Sequence, residues 1–513
     1  MIKKKLRKGL RRFNNVKKTL SIAVVAVLLI GPFTIVGNWY IFTVQGATPV
    51  SGILTSDTTW TKADSPYDLT GNLLINQDAT LAVEPGATVN LDDYYIMVNG
   101  TLDARGDDVN PIYFNGGQVV FTEFSEDWNE SSGTGCIFEN VILNSTITAN
   151  NSLKISSGAS FGSIEINGMA EPIISNNILR GGINVGGDGI ITNNTVLDHG
   201  ISILKNATVT NNRVSGSETG ITAHTYFWDD SHPDAWPNST ALIEGNLITG
   251  NTNGIIITEQ QGSKTGSPII RNNSIINNAV GIYLTWLGLK APDPTILNNN
   301  ICNNSEYNVN LDFSSDVNAS YNWWGTTNTS TIDQSIYDFY DDFNLGTVNY
   351  VPFLTEFNPN APLVPSLYRF NVSAEPQSYE IMALSNSIIS EFNFNQNLKE
   401  LVFNAEGLPG TNGFCEITVP AELMSGTFSL YKDEVPLVKD IDYTESYNGT
   451  HYMFDILYDH SVHAIRIVNS QVVPDLPSNL LSVLIIISLS AATLFLKKKL
   501  LKVRTNQNLH IEN

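Results

Sequence analysis

PIISNNIL, residues 172–179, is the first full copy of a phrase that recurs as far as Gly325. In each copy a short β-type run leads into one or two asparagines, and an apolar residue lies two places further on. The later copies begin at residues 189 (GIITNNTV), 207 (ATVTNNRV), 241 (ALIEGNLI), 268 (PIIRNNSI), 294 (PTILNNNI) and 318 (NASYNWWG). Repeats of about 20–30 residues indicate a solenoid, in which each repeat buries its apolar face against its neighbours.

A second apolar run, led by glycine in most copies, follows each phrase and predicts two short strands per repeat. These runs begin at Gly182, Gly200, Gly220, Gly254, Gly281 and Asn308. Asparagine tolerates the left-handed backbone of a sharp corner, and stacked asparagine amides can hydrogen-bond from one repeat to the next. We therefore predict a structural ladder that comprises Asn177, Asn194, Asn212, Asn246, Asn273, Asn299 and Asn322.

These phrases resemble the repeats of right-handed parallel β-helix proteins of the pectate-lyase-like and NosD-like groups. They resemble above all those of archaeal-type surface proteins with a C-terminal membrane anchor. LLINQDATLAVEPGATVNL (73–91), YYIMVNGTLDARG (94–106) and YNWWGTTN (321–328) carry the same resemblance, which covers most of residues 50–355. It implies an all-β chain with the pectin lyase fold, a right-handed parallel β-helix (solenoid). Because unrelated activities share this fold, the resemblance predicts architecture better than activity.

Changes of composition along the chain predict seven segments. A proline-rich stretch suggests a linker, and the longer alternating runs after it are typical of a small β-sandwich. The segments are 1–47, a signal peptide or signal anchor; 48–170, the N-terminal cap and first coils; 171–356, the β-helix repeats with a C-terminal cap; 357–366, the linker; 367–472, a juxtamembrane β-sandwich; 479–496, a transmembrane helix; and 497–513, a basic cytoplasmic tail.

Both ends of the chain predict a place at the cell surface. The first 18 residues hold nine Lys or Arg and no acid, and a mostly apolar run from Leu20 to Val44 follows. This pattern is typical of a secretion signal or of an uncleaved anchor. Residues 479–496 carry no charge and lead directly into the basic tail. Since positive residues stay on the cytoplasmic side, the C-terminus is predicted to be cytoplasmic and the β-helix extracellular.

The net charge of the predicted extracellular part limits the classes of molecule that it can bind. The whole chain has a formal net charge of −22, but 14 of its 28 Lys and Arg lie in the two ends. The residues between hold 14 bases and 49 acids, a net charge of −35, which excludes nucleic acid and argues against polyanions. The expected partners are the membrane, through the C-terminal helix, and polysaccharide or cell-envelope components. The three cysteines form no metal-binding pattern, so we expect no cofactor, with Ca²⁺ between carboxylates as the alternative.

One inserted loop, AHTYFWDDSHPDAWP (223–237), gathers side chains that could carry chemistry. Paired carboxylates could hydrolyse a glycosidic bond, a mixture of His and Asp could hold a metal, and aromatic rings could stack on sugars. The candidates are Asp229 and Asp230 for catalysis; His224, His232 and Asp234 for a metal; and Tyr226, Trp228 and Trp236 for sugar stacking.

Other residues that enzymes of this fold need are scarce. The ladder region has three arginines, Arg180, Arg213 and Arg271, and a NosD-like copper site would need clusters that 6 Met and 7 His do not form. Whether the chain is an enzyme stays open. The pattern favours a structural or glycan- and envelope-binding surface role over a polysaccharide lyase or glycoside hydrolase at residues 224–236, and over NosD-like metal handling. Sequons in loop-like contexts make Asn129, Asn238, Asn328, Asn371 and Asn448 glycosylation candidates.

Overall fold

The computed structural model describes residues 46–107, 109–160, 162–225, 240–259, 266–286, 291–374, 377–407, 412–440 and 442–470. The described residues from Ala47 to Ser470 belong to one compact unit. Within the described ranges, no helix is long and apolar enough to cross a membrane. The helix predicted at 479–496 and the predicted N-terminal signal lie outside them.

The first coils are built from long parallel strands that bend around the core. The strands are β1 (Thr48–Leu54), β2 (Thr58–Trp60), β3 (Tyr67–Ile75), β4 (Thr80–Val83), β5 (Thr88–Val98), β6 (Thr101–Arg105), β7 (Ile112–Phe121), β8 (Ile137–Glu139) and β9 (Val141–Ala149). β1, β3, β5, β7 and β9 stack in parallel, with shifts of register where the longer strands turn. Within each strand, buried apolar residues alternate with more exposed polar ones, so one face fills the interior.

After β9 each coil has three short strands, where the sequence predicted two. They are β10 (Lys154–Ser156), β11 (Ala159–Ser160), β12 (Ile164–Ile166), β13 (Ile173–Ser175), β14 (Ile178–Leu179), β15 (Ile183–Val185), β16 (Ile190–Thr192), β17 (Thr195–Leu197), β18 (Ile201–Ile203), β19 (Thr208–Thr210), β20 (Arg213–Ser215), β21 (Thr219–His224), β22 (Leu242–Glu244), β23 (Leu247–Thr249), β24 (Asn253–Glu259), β25 (Ile269–Arg271), β26 (Ser274–Ile276), β27 (Val280–Trp286), β28 (Thr295–Leu297), β29 (Asn300–Cys302), β30 (Tyr307–Leu311), β31 (Val317–Asn318), β32 (Ile336–Tyr337) and β33 (Val348–Asn349). The third strand arises because the chain turns again soon after the ladder asparagine, which makes β14 and its equivalents separate strands.

These strands form three parallel rows, one on each side of the solenoid. Row A contains β10, β13, β16, β19, β22, β25 and β28; row B contains β11, β14, β17, β20, β23, β26 and β29; and row C contains β12, β15, β18, β21, β24, β27, β30 and β32. β9 pairs with β11 through its first half and with β12 through its second half, so rows B and C are one bent sheet that divides. The chain is therefore a parallel β-helix.

Apolar side chains at the same coil position stack through the interior. In row A, the parallel register aligns Ile174, Ile191, Val209, Ile243, Ile270 and Ile296, each at most 1% exposed. Burial of each such side chain stabilises the fold by about 1.5–3 kcal/mol. This column explains why the repeat keeps Ile or Val in phase although the loops between coils vary in length.

Two neighbouring asparagines share the corner between rows A and B. The first adopts the left-handed conformation, with φ of 54–58° at Asn176, Asn193, Asn211, Asn272 and Asn298. The second is buried and belongs to the ladder. Its Oδ1 accepts from the backbone N and the Nδ2 of the ladder residue one coil earlier, at 2.8–3.0 Å. The seven asparagines named from the sequence form this chain of hydrogen bonds, and the residue before them makes the turn.

A second buried ladder, which the sequence analysis missed, lies between rows B and C. The Oδ1 of Asn251 accepts from Ser217, that of Asn278 from Asn251, and that of Asn304 from Asn278, at 2.9–3.1 Å. Each of these asparagines follows a residue of the first ladder by five positions. The signal was therefore present in the sequence.

The last coils end in a segment rich in aromatic residues. A one-turn helix, α1 (Thr329–Asp333), begins after Asn328, whose Oδ1 accepts from the backbone N of Ser330 and Thr331. β32 extends row C, and β33 pairs with β31. Trp324, 3% exposed, contacts the ring of Tyr350 and belongs to the core of the coils. This segment covers the C-terminal end of that core.

The residues that follow form a β-sandwich of two antiparallel sheets. Its strands are β34 (Ser366–Ala374), β35 (Gln377–Ser385), β36 (Ile388–Asn395), β37 (Glu400–Glu406), β38 (Asn412–Pro420), β39 (Thr427–Lys432), β40 (Val435–Pro436), β41 (Tyr443–Tyr447), β42 (His451–Asp459) and β43 (Val462–Ser470). The first sheet has the order β34-β35-β38-β42-β41, and the second has the order β36-β37-β43-β39-β40. Ile381, Phe403, Ile417, Phe454 and Ile465 are fully buried in the sandwich core.

The sandwich lies along row B of the β-helix. Phe414 and Leu457, on the outer face of its first sheet, pack against Leu247, Ile276 and Cys302. In a freely solvated coil these row B side chains would face water. The sandwich therefore gives the solenoid a second apolar interface, separate from the interior core.

Arg213, in β20, forms ion pairs between the β-helix and the sandwich. Its guanidinium contacts the carboxylates of Glu416 and Asp455, the second at 2.7 Å, and lies 4.0 Å from the centre of the Phe414 ring. The Arg213 side chain is only 8% exposed, so water screens these contacts little. The paired coil positions on either side hold Thr195 and Leu247, so this ion pair is not repeated at the positions in register with Arg213.

The predicted linker, 357–366, also lies against row B. Asn358 is 7% exposed, and its backbone N donates to the Oδ1 of Asn300 at 2.8 Å. The Oγ of Ser274 donates to the carbonyl of Pro362 at 2.6 Å. The chain thus reverses after the last coil and runs back along the solenoid.

Candidate functional site

Most of the site residues predicted from the sequence lie outside the part of the chain that the structure describes. Those at 226–239 are Tyr226, Trp228, Asp229, Asp230, His232, Asp234, Trp236 and Asn238. Their predicted roles in catalysis, metal binding, sugar stacking and glycosylation stay predictions. Of the catalytic, metal-binding and sugar-stacking candidates, the structure places His224.

His224 ends β21 in row C. Its backbone is in register with Thr258 of the next coil, which pairs in turn with Thr285. The Nδ1 of His224 is buried and has no hydrogen-bond partner among the described residues, and burial lowers the pKa of the imidazole. A neutral imidazole whose Nδ1 has no partner in the described part of the chain therefore lies at the start of the inserted loop.

The described residues bring no three His, Cys, Asp or Glu side chains together in a group that could hold a metal ion. The three cysteines are buried and unpaired. Burial raises the pKa of the Cys136 thiol to about 12 and that of Cys302 to about 11. These thiols are therefore protonated at neutral pH and pack as apolar groups.

A cleft of about 800 Å³ opens where the sandwich and the linker meet the corner between rows A and B. We call it the amide cleft. One wall is formed by the left-handed corner residues Asn176, Asn193 and Asn211, and then Gly245. Successive coils are one strand spacing apart, about 4.8 Å, so these amides form a regular line. Their side chains make no hydrogen bond to any residue that the structure describes, which leaves both donors and acceptors open to a ligand.

The opposite wall comes from the linker and the sandwich. Asn360 and Asn412 add two exposed amides. Asn386 fixes the start of β38, because its Oδ1 accepts from the backbone N of Phe414 and its Nδ2 donates to the carbonyl of Asn412, both at 2.9 Å. This wall is therefore also rich in amides, and it is held in place by hydrogen bonds within the sandwich.

The cations of the amide cleft are paired. Arg213 is bound by Glu416 and Asp455, and the Nζ of Lys432 donates to the Oδ1 of Asp459 at 2.6 Å. Neither Arg213 nor Lys432 is left to attract an anion. The corner wall offers uncharged amides without side-chain partners among the described residues, so this wall is suited to a polar, neutral molecule.

His460, in the turn after β42, completes the sandwich wall of the cleft. Its Nε2 lies 2.9 Å from the Oγ of Ser387, which in turn lies 2.9 Å from the hydroxyl of Tyr458. Only 4% of His460 is exposed, and burial lowers the pKa of its imidazole. The wall is thus built around a histidine that is neutral at pH 7.

We expect the sandwich to lose stability as the pH falls from about 7 to about 5. The folded protein binds a proton at His460 less readily than the unfolded chain, whose histidine titrates near pH 6.5. Protonation therefore favours unfolding, and the stabilisation present above about pH 6.5 is lost below it. Denaturant unfolding at a series of pH values measures the slope. His460→Gln should flatten it, and an unchanged slope in that variant would contradict this role.

His463, in β43, makes contacts that are typical of a hydrolytic triad. Its Nδ1 lies 2.6 Å from the Oδ2 of Asp433, and its Nε2 lies 2.9 Å from the Oγ of Ser461. The same Nε2 lies 2.8 Å from the carbonyl oxygen of Asp459, which can only accept a hydrogen bond. This nitrogen therefore carries a proton and cannot act as a base toward Ser461. The arrangement stabilises the turn between β42 and β43.

Four of the five glycosylation candidates can be placed. Asn129, Asn328, Asn371 and Asn448 are all exposed. In Asn129, Asn328 and Asn448 the Oδ1 accepts from the backbone N two residues on, at 3.0 Å. These three amides therefore take part in turns, whereas Asn371 lies in β34.

Comparison with known proteins assigns no function to the chain. Residues 146–327 match a protein-family model described as a protein of unknown function, DUF1565. This span covers the coils that contain the asparagine ladder. No curated protein matches the chain in sequence. Among solved structures, the chain is similar to the Dettilon tailspike protein (gp208), with 11% identity, a TM-score of 0.21, and coverage of 82% of this chain and 87% of that one. A similarity this weak bears on no detail of fold or function.

Proposed function

We propose that this protein is displayed on the cell surface and binds a neutral glycan in the amide cleft. The observation that carries the proposal is the line of corner amides, Asn176, Asn193 and Asn211. They are regularly spaced, face the cleft and have no side-chain partner among the described residues. A polar surface of this kind is stable in water. When a polyhydroxylated ligand replaces that water, the amides exchange their hydrogen bonds with water for hydrogen bonds with the ligand.

The chemistry of the amide cleft favours a sugar polymer over a charged ligand. Each asparagine side chain offers two donors and one acceptor oxygen, and a sugar hydroxyl can both donate and accept. Repeating amides along successive coils suit a ligand whose hydroxyl groups also repeat. The predicted extracellular charge of −35 disfavours polyanions. A neutral polysaccharide is therefore the ligand class that fits best.

The proposed location rests on the sequence. A basic and then apolar N-terminus, an uncharged segment at 479–496 and a basic tail are together typical of an extracellular domain held by a C-terminal helix. The exposed sequons at Asn129, Asn328, Asn371 and Asn448 suit an extracellular chain that carries glycans of its own.

Removing the three corner amides should weaken glycan binding by about tenfold to a hundredfold. The variant is Asn176→Gly/Asn193→Gly/Asn211→Gly, because glycine also adopts the left-handed conformation and leaves the corner unstrained. The full chain in neutral detergent is mixed with insoluble neutral and acidic polysaccharides, with and without Ca²⁺. Bound protein, new reducing ends and unsaturated products are measured.

Asn298→Gly is the matched control. Asn298 has the same left-handed conformation further along the same corner, and it lies outside the cleft. This variant should bind neutral polysaccharide as the wild type does. Equal binding by the triple variant, or binding to acidic polysaccharides alone, would contradict the proposal.

The second candidate function is a polysaccharide lyase or glycoside hydrolase at residues 224–236. The observation in its favour is the buried Nδ1 of His224 at the start of that loop, which has no hydrogen-bond partner among the described residues. Chain scission in the same assay, abolished by Asp229→Asn or Asp230→Asn, would establish this activity in place of simple binding.

A further inference from the structure

The aromatic loop, residues 338–346, projects between β32 and β33 at the C-terminal end of the solenoid. Asp338, 4% exposed, holds it from within: its Oδ1 accepts from the backbone N of Tyr340 at 3.0 Å, and its Oδ2 accepts from that of Val348 at 2.8 Å. The backbone N of Gly346 donates to the carbonyl of Phe313 at 2.8 Å, which ties the loop to the last coil. The loop is therefore shaped by its backbone and by one buried carboxylate.

The aromatic side chains of this loop face water. The exposed fractions are 45% for Phe339, 83% for Tyr340 and 80% for Phe343. The terminal repeats of a solenoid normally present a polar outer face, which keeps them soluble. Rigid, exposed aromatic rings are instead typical of binding hot spots, because they contribute a large contact area and lose little conformational freedom.

The stretch of sequence that contains the aromatic loop carries only negative charge. Residues 291–368 include nine acids and no Lys, Arg or His. Asp341 and Asp342 lie in the loop itself, and Asp333 accepts from the hydroxyl of Tyr350 at 2.6 Å. Burial, and then the carboxylate of Asp333, raise the pKa of Tyr350 to about 12, with a further contribution from Tyr340. The exposed rings therefore share their loop with two carboxylates, Asp341 and Asp342.

We infer that the aromatic loop is a docking surface for a protein partner that presents arginine or lysine side chains. A ring face attracts a cation through its quadrupole, and Tyr is among the better rings for this contact. Asp341 and Asp342 can pair with further cations at the rim. A second copy of this chain would bring the same carboxylates, and an anionic membrane would be repelled. A neutral glycan would use the rings but not the charges.

The test uses the full chain in neutral detergent at physiological ionic strength. The probe is a fluorescent peptide of alternating arginine and glycine. In the loop variant, Phe339→Ala/Tyr340→Ala/Phe343→Ala, every carboxylate stays in place. The matched control, Phe124→Ala/Tyr447→Ala, removes two rings that are 56% and 54% exposed outside the loop. The loop variant should bind the peptide about tenfold or more weakly, and the control should bind it within about twofold of the wild type.

Equal binding by the wild type and the loop variant overturns the inference, because the peptide would then be held only by overall charge. Loop-dependent binding to phosphatidylcholine vesicles or to dextran, without loop-dependent binding of the peptide, also overturns it. Since the three rings are exposed, the loop variant should unfold at the same temperature as the wild type, so weaker binding is not a sign of misfolding.

Discussion

Replacement of Asn273 by alanine is expected to lower the free energy of unfolding by about 3–5 kcal/mol. The Oδ1 of Asn273 accepts from the backbone N and the Nδ2 of Asn246, both at 2.9 Å, and its Nδ2 donates toward the carbonyl of Ile243 at 2.9 Å. Asn273 is fully buried, so the groups left behind would have no access to water. Denaturant unfolding and amide hydrogen exchange at β22, β25 and β28 measure the loss.

Two further variants separate the ladder from the corner. Asn273→Asp keeps the shape and the acceptors but removes the donors and buries a charge, so it should destabilise at least as much as alanine. Asn277→Gly is the control, since Asn277 is an exposed left-handed residue close by and glycine adopts that backbone freely. If Asn273→Ala changed stability no more than this control, the ladder would not stabilise the coils.

Replacement of Arg213 by methionine is expected to destabilise the docking of the sandwich by about 3–5 kcal/mol. Methionine retains the apolar contact with Phe414 but leaves the carboxylates of Glu416 and Asp455 without a cation. The Asp455 side chain is only 13% exposed, so its uncompensated charge is costly. Amide exchange in row B and in β38 and β42 should accelerate, and polysaccharide binding in the amide cleft should weaken because one wall of the cleft moves.

A triple variant separates the effect of the unpaired carboxylates from the effect of lost packing. In Arg213→Met/Glu416→Gln/Asp455→Asn no buried charge is left unpaired, so most of the docking stability should return. Slow exchange in Arg213→Met alone would contradict the view that this ion pair holds the sandwich on row B. The failure of the triple variant to recover would instead point to the geometry of the guanidinium over the Phe414 ring.

The periodic features of the fold could be predicted from the sequence, and the long-range ones could not. Asn273 and Ile270 recur in phase with their equivalents, so the first ladder and the row A column could be read directly. The strands of row B have only two or three residues, which is too short to show alternation, and the third row was missed for that reason. The second ladder has the same period as the first. Its asparagines lie outside the repeated phrase, so the phrase alone did not predict them.

The contact between the sandwich and row B could not be predicted from the sequence. Leu247 and Cys302 have the composition of interior residues, although they face outward. The carboxylates that bind Arg213 lie 203 and 242 residues further along the chain, at a separation where a single sequence gives no pairing signal. The amide cleft depends on this contact and was missed with it. The sequence predicted a site at residues 226–239 instead.

The reversal of the chain after the last coil determines how a pulling force would travel through the protein. In a stalk with its domains in series, tension between ligand and membrane would cross every coil. In the proposed arrangement the ligand lies in the cleft beside row B, and the last described strand, β43, belongs to the second sheet of the sandwich. The load would therefore pass through the sandwich and its contact with row B and would not cross every coil. β1–β9 remain outside this path. A pull along the solenoid axis would load the contacts of Arg213, Phe414 and Leu457 together, in shear, instead of peeling them apart one after another.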